Sequence, residues 1–405
     1  MSSAKQTCPD CGPNFTNHRA QRSLARLDVT LTSLTQLSTF IWRGLGSALE
    51  VLRVEQGIPY LFKGLARLGV GKIITTHHEE PDSRSKVFWA EAEKRGIAMY
   101  KFALFKSAAA KGIFVAEHNG RKIIFDILPR IGSVTSPSVA WMDDKGIMRT
   151  KFAPENIPIA RGGFAETEQE ATALFEKIGG TVIVKPRSGS RSRHTTIHIA
   201  TREQLVKAFW IAKELSPWVV VEEELKGYVH RVTLVKGKVV GVMRREPPHV
   251  VGDGVSTIRQ LVEKENLNPA RQGPLFHELH LDDEAVVELA YQGYTFDSIP
   301  PHGKLVALGQ KVGRGSGGST TDFTKVLHPE NKELFERIGV FMADPLVGVD
   351  FIIEDMARPW HEQMPSGVIE CNSLPFIDLH HYPLYGEVVN AAGALWDSVF
   401  PGSGR

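Results

Sequence analysis

The chain has 405 residues, enough for two or three domains at roughly 150 residues each. Hydrophobic residues make up 42% and charged residues 23%, which excludes a wholly disordered, collagenous or coiled-coil chain. A net charge of +2 excludes a global polyanion-binding surface, and three cysteines are too few for a disulfide framework. No apolar run approaches the ~18–20 residues that span a bilayer. These features together predict a cytoplasmic protein that binds neither nucleic acid nor membrane.

Residues 1–30 read as a flexible leader containing Cys8-Pro-Asp-Cys11. His18 nearby invites a zinc reading, but the pattern lacks a fourth ligand and a second pair, so an ordinary reduced pair or a metal shared with another chain is the plainer alternative. Residues 31–140 read as an N-terminal helical and α/β domain. Apolar spacing predicts helices from Leu31 to about Leu68, then a strand over Lys72–Thr76 and a helix over Ser85–Arg95 closed by Gly96. His77-His78-Glu79-Glu80 reads as a polar loop. Asn119-Gly120 between two apolar runs predicts a β-hairpin.

From residue 141 to 400 the texture is more regular. Helices are expected over Lys145–Asn156, Glu166–Ile178 and Arg202–Leu215, and strands over Thr181–Pro186, Thr196–Ala200 and Trp218–Glu222. Val229–Val235 and Lys238–Arg244 pair around Lys236-Gly237. Val347–Ile353 and Gly367–Asn372 read as two further strands joined near Trp360. This order gives an α+β fold with antiparallel hairpins and argues against a doubly wound parallel sheet.

Strand period two puts Glu370 and Asn372 on one sheet face, and a hairpin register brings Asp350 opposite Glu370. Two carboxylates and an amide oxygen make a hard oxygen set suited to Mg²⁺. Taken alone, a solvated hairpin face with chance acids is the plainer reading. Cys371, between two of these residues, should face the core. Lys185 ends a strand beside the polar loop Arg187–Thr195, where Ser190 and backbone amides can meet phosphate oxygens and Arg187, Arg191 and Arg193 can add contacts. Glu222 to Leu225 can offer backbone groups to an adenine edge. Gly313–Gly318 does not fit the GxxxxGK[ST] phosphate loop.

The segment Arg245-Glu-Pro-Pro-His-Val-Val-Gly-Asp-Gly-Val-Ser-Thr-Ile258 joins Gly317-Gly318, Val326-Leu-His-Pro-Glu-Asn331, Gly348-Val-Asp350, Glu370-x-Asn372 and Pro375 in an ordered set. In this order the chain resembles ATP-grasp ligases, and most of all the ATP-grasp region of cyanophycin synthetases, over roughly 144–386. The resemblance implies an ATP-grasp fold, two α+β subdomains gripping ATP. The smaller, nucleotide-gripping subdomain would cover about 160–225 and the Mg²⁺ and substrate subdomain about 226–400.

It also implies ATP-dependent ligation of a small-molecule carboxylate to an amine, from an amino acid or peptide, through an acyl-phosphate. Lys185 and either Arg149 or Lys151 would contact ATP phosphates, and Glu222 and Leu225 the adenine. Asp350, Glu370 and Asn372 would hold Mg²⁺, and Arg231 and Arg245 would neutralise phosphate or carboxylate. Several positions depart from the family pattern: Ser192 and His194 stand where it has glycines, Val229 where it has an acidic ribose partner, and Phe376 where it has glycine. An ATP-dependent phosphotransferase and a catalytically impaired ATP-binding regulatory module are the alternatives, and a homo-oligomer stays open. Cyanophycin synthetases continue into a Mur-ligase-like domain whereas this chain ends at Arg405, so two-step polymerisation is not expected.

Overall fold

The computed structural model describes residues 57–104, 112–129, 144–187 and 193–404, together with residues 8, 17–20, 22–23, 138, 141 and 142. The expected helices between Leu31 and residue 56 lie outside the described residues.

The first unit contains α1 (Ile58–Arg67), β1 (Gly71–Ile74), α2 (Ser83–Lys94), β2 (Ala98–Leu104), β3 (Gly112–His118) and β4 (Arg121–Phe125). Its strands lie in the order β1-β2-β3-β4, all antiparallel. Asn119 and Gly120 take φ of 48° and 76°, the left-handed pair that a two-residue hairpin turn requires. Asp82 caps α2 by accepting from the Ser85 N–H, and Gly96, with φ 66°, follows its last turn.

Helix α3 (Lys145–Phe152), whose Met148 and Phe152 pack with Phe335 and Phe351 from farther along the chain, leads into the second unit of β5 (Gly162–Ala165), α4 (Glu168–Ile178), β6 (Val182–Pro186), β7 (Thr196–Ile199), α5 (Arg202–Lys213) and β8 (Val219–Glu223). Helix α3 stops four residues short of the expected Asn156, because Pro154 has no N–H to continue the ladder and a 3₁₀ turn takes over at Ala153–Glu155. Helices α4 and α5 each begin with a reciprocal cap, Thr167 with Glu170 and Thr201 with Gln204. Their apolar stripes, including Ala171, Leu205 and Phe209, pack on Val182, Val184 and Val221 of the sheet β5-β8-β6-β7.

The third unit holds β9 (Tyr228–Val235), β10 (Lys238–Glu246), β11 (His249–Val251), α6 (Ile258–Asn266), α7 (Asp283–Tyr291), β12 (Leu305–Ala307) and β13 (Ser319–Asp322). It continues with α8 (Pro329–Met342), β14 (Leu346–Ile353), β15 (Gly367–Asn372), α9 (Asp378–His381) and α10 (Ala391–Val399). Its main sheet has the order β13-β10-β9-β14-β15, with β11-β12 forming a separate ribbon. Every ladder between these strands is antiparallel, as expected for an α+β fold.

Strand β14 sits between two partners, which explains its nearly continuous apolar run. Val347, Val349 and Phe351 face Leu334, Phe335 and Ile338 of α8, while Gly348 and Asp350 turn to the opposite side. Cys371 is buried in that same apolar cluster, as its alternation predicts. The second and third units are joined by a link from β8 to β9. Gly227 in this link has φ 109°, and a Cβ there would lie 2.2 Å from the Ile353 carbonyl carbon. Only glycine fits that approach.

Helix α10 returns to the first unit. The Trp396 ring stacks on Phe88 at 4.0 Å, and its indole N–H donates to the Phe88 carbonyl at 2.8 Å. The core of the first unit therefore takes in residues from the far end of the chain, including Leu395, Val399 and Phe400. Among the described residues, no helix is long and apolar enough to cross a membrane.

Two buried histidines set an acid limit on this fold. Burial pushes the imidazoles of His230 and His380 down to about 3, with the charges of Arg244 and Arg231, respectively, acting in the same direction. An unfolded histidine titrates near 6.5, so below that pH the unfolded chain takes up protons that the folded chain refuses. Their contribution is fully present above pH ~6.5 and is lost as pH falls towards about 3. Unfolding free energies from urea titrations between pH 7.5 and 5 should fall once pH drops below ~6.5, by roughly 1 kcal/mol per histidine per pH unit. His380→Gln should flatten that slope whatever its effect at neutral pH.

Candidate active site

The site is built on one transverse row of the main sheet. Arg231 on β9 lies opposite Asp350 on β14, and Asp350 lies opposite Glu370 on β15. Asn372 pairs with Gly348 one step along, and Arg245 stands two residues beyond Met243, the β10 partner of Arg231. Period two gives all of these side chains the same face. The expected Asp350–Glu370 pairing is present, followed by a bulge that leaves Phe351 paired with Val368.

Arg231 grips Asp350 with two donors, its Nε on Oδ1 and its Nη2 on Oδ2 at 2.9 Å. Arg245 adds Nη1 on Oδ2 at 3.3 Å. Burial alone would raise the Asp350 pKa, but the charge and hydrogen bonds of Arg231, then the charges of Arg245 and Lys145, hold it below the usual carboxylate value. The same pairing overcomes burial at Arg231 and raises its pKa, whereas at Arg245 burial prevails and lowers it. Glu370 is half-buried and more loosely held, with Lys145 Nζ 3.7 Å from Oε1. Asn372 Nδ2 is buried without a hydrogen-bond partner among the described residues.

These groups fit a Mg²⁺ ion. A carboxylate offers about four lone-pair sites, and Asp350 uses three of them on the guanidinium groups. Glu370 has Lys145 at 3.7 Å and lies within the fields of Arg231 and Arg245, and Asn372 Nδ2 has no partner among the described residues. All three present hard oxygens to one face, the donor type that Mg²⁺ selects.

The residues expected to meet a nucleotide gather on and beside the second sheet. Glu222 on β8 accepts from Lys185 Nζ on β6 through Oε1, and Arg149 Nη1 lies 3.5 Å from its Oε2. Arg149 Nη2 also donates to the Ala160 carbonyl. Of the two candidates on α3, Arg149 is the one that joins this cluster. Lys151 lies two positions on, about 200° around a helix, and its exposed side chain rests over the Trp141 ring at 5.3 Å. Glu222 spends its carboxylate on Lys185 and Arg149, so it offers an adenine edge only backbone groups. Leu225 lies in the link to β9. Ser190 and Arg191 lie outside the described residues, and so does Ser192. Arg187 turns back on Asp144 at 3.2 Å and over the Phe164 ring at 5.1 Å.

Sequence reasoning passed over Lys145, which reaches Glu370 from the first turn of α3. It had no signal beyond the adjacent cap Asp144, which fixes where α3 begins. Lys311 and Arg314, in the Gly309–Arg314 segment that matches the family's polar substrate stretch in place but not in sequence, line with Arg231, Arg245, Thr320 and Phe376 a cavity of about 410 Å³. Arg314 is ion-paired to the buried Asp378, which also accepts from Ser83 Oγ of α2 at 2.8 Å. Arg84 lies over the Phe376 ring at 4.4 Å and donates to the Leu374 carbonyl at 3.1 Å. The first unit thus buttresses one wall of the cavity.

No family model matches the chain. It is 32% identical to cyanophycin synthetase from Trichormus variabilis over 322 residues, which is 78% of this chain and 35% of that protein. It is 29% identical to the glutathione biosynthesis bifunctional protein GshAB from Clostridium perfringens over 331 residues, 80% of this chain and 42% of that protein. Among solved structures, a bifunctional glutathione synthetase from Pasteurella multocida superposes with a TM-score of 0.57 at 24% identity, covering 78% of this chain and 44% of that one. In sequence the chain is similar to cyanophycin synthetases, and in fold it is similar to ATP-grasp ligases. Its ATP-grasp fold agrees with the α+β architecture and with the two separate sheets that carry Lys185 and Asp350. The chain spans about a third of the length of the cyanophycin synthetases it matches.

Proposed function

We propose that the protein is an ATP-dependent carboxylate–amine ligase that forms an amide from an amino acid or peptide and releases ADP and phosphate. The observation that carries this reading is the join between the Arg231–Asp350–Glu370 row and a cavity lined by Arg231, Arg245, Lys311 and Arg314. A cationic cavity beside a hard oxygen set suits an anionic substrate next to nucleotide phosphates.

Lys185 and Arg149 hold the phosphates from the smaller sheet, and Arg231 and Arg245 face the transferring group from the main sheet. The acceptor carboxylate oxygen attacks the γ-phosphorus, and the bond to the β-phosphate oxygen breaks with ADP leaving. The amine nitrogen then attacks the acyl carbon, phosphate leaves with the bonding pair, and the nitrogen loses a proton. No protein nucleophile is needed; the chain's work is charge neutralisation and alignment. Mg²⁺ held by Asp350, Glu370 and Asn372 would supply neutralisation of the phosphate oxygens. Lys311, at the cavity wall, binds the substrate carboxylate.

The test is ADP release with Mg-ATP across pools of amino acids and short peptides, with product masses determined. Ligation gives ADP and a product lighter by one water than its two substrates combined. ADP with a stable phosphorylated product supports the phosphotransferase, and no ADP in any pool supports an impaired nucleotide-binding module. Once a substrate is found, Lys311→Met should raise its KM about 10-fold with kcat little changed, as expected for loss of one charged hydrogen bond.

A further inference from the structure

The leader's Cys8 and His18 meet two residues from the second unit. Potential ligand atoms of Cys8, His18, His194 and Glu214 all lie within 4.8 Å of one another. Cys8 Sγ is 3.5 Å from His194 Nε2, and His18 Nδ1 is 3.2 Å from Glu214 Oε2. A tetrahedral zinc shell with bonds of about 2.1–2.3 Å has edges of roughly 3.4–3.8 Å. The cluster already has nearly that size.

His194 is arranged as a ligand. Its side chain is fully buried, and its Nδ1 sits 2.8 Å from the Ile211 carbonyl. That contact calls for a proton on Nδ1, which leaves the Nε2 lone pair directed at the thiol. The backbone of His194 has φ 54°, a left-handed conformation that glycine adopts more cheaply. A buried imidazole is thus kept at a position whose backbone favours a residue without a side chain.

We propose that Cys8, His18 and His194 form a structural zinc site that fastens the leader to the second unit. Glu214 Oε2, 3.2 Å from His18 Nδ1 and 3.8 Å from His194 Nδ1, borders the site as a fourth ligand or as the acceptor that orients the imidazoles. Binding deprotonates the thiol and releases that proton to solvent. His194 ends the polar loop that follows Lys185-Pro186, so the ion would anchor that loop at its β7 end. This inference does not depend on the ligase reading.

The experiment uses the full-length chain, reduced, stripped with a chelator and titrated with Zn²⁺, with bound metal counted by mass spectrometry. One zinc per chain is expected, and thermal stability should fall when it is removed. Cys8→Ser, His18→Ala and His194→Ala should each weaken zinc binding by more than about 100-fold, and Glu214→Gln by about 10–100-fold if it acts on the imidazoles. Cobalt substitution should show thiolate-to-metal absorption that Cys8→Ser weakens. Failure of the wild-type chain to bind zinc at micromolar concentration overturns the proposal, as does stoichiometric zinc that survives Cys8→Ser and His18→Ala together. Those two substitutions lie on the leader, outside the sheets, so the result stands even if His194→Ala misfolds.

Discussion

Glu370→Gln should lower Mg-ATP turnover by about 10²–10³-fold while leaving the unfolding midpoint essentially unchanged. Glu370 is half-buried at the sheet edge, and its salt-bridge partner, Lys145, stands 3.7 Å away. Little of the fold therefore depends on its charge. Its carboxylate lies directly opposite Asp350 and two residues from Asn372, on the face turned towards the cationic cavity. The amide keeps the shape and removes the negative charge, so a loss of turnover without a loss of stability isolates the electrostatic role. Isothermal titration of Mg-ATP should show weakened metal-dependent binding, while metal-free ATP binds as before or better. Turnover within about threefold of the parent would remove Glu370 from the reaction, because one preorganised charge in such a site contributes far more than that.

The parts of this site that were legible in the sequence are those within one hairpin. A strand period of two, together with a turn near Trp360, was enough to place Asp350, Glu370 and Asn372 on one face and Cys371 on the other. Reciprocal helix caps such as Thr201 with Gln204, and turns such as Lys236-Gly237, are likewise written in neighbouring residues. The row itself was not legible. Arg231 reaches Asp350 across 119 positions, and only the β9–β14 register puts them opposite each other. The resemblance to a family suggested a role for Arg231, but nothing in its local sequence points to Asp350 as its partner. Helix direction decides between Arg149 and Lys151, and that depends on the face of α3 carrying Met148 and Phe152 turning into the core beside Trp141. Lys145 and the leader's partner His194 depend wholly on tertiary packing. Cys8 and His194 are 186 positions apart, which is why the Cys-x-x-Cys pair lacked ligands in the sequence.

Removing the Asp350 carboxylate is expected to damage both fold and activity, and the two effects can be separated. Arg231 and Asp350 are both almost completely buried, with side-chain exposures of 4% and 3%. Two charges brought this far from water are tolerated because each neutralises the other. Asp350→Ala leaves the Arg231 and Arg245 guanidinium groups facing each other without their shared anion, at an expected cost of about 3–5 kcal/mol in denaturant unfolding. Arg231→Met should cost less, because Arg245 still neutralises Asp350 at 3.3 Å. The double variant Arg231→Met, Asp350→Leu replaces the pair with apolar groups of similar size and should recover most of the lost stability. Turnover should stay abolished in all three. The acid limb gives an independent sign. Because the folded pKa of Asp350 is depressed, its contribution is present above the unfolded value of about 3.9 and is lost as pH falls through the folded value. Asp350→Asn should therefore flatten the stability curve below pH ~4 while leaving the histidine-dependent slope above it intact. A double variant as unstable as Asp350→Ala would show that the stability comes from packing around the pair and not from its charges. A double variant that turned over Mg-ATP would remove both residues from the chemistry.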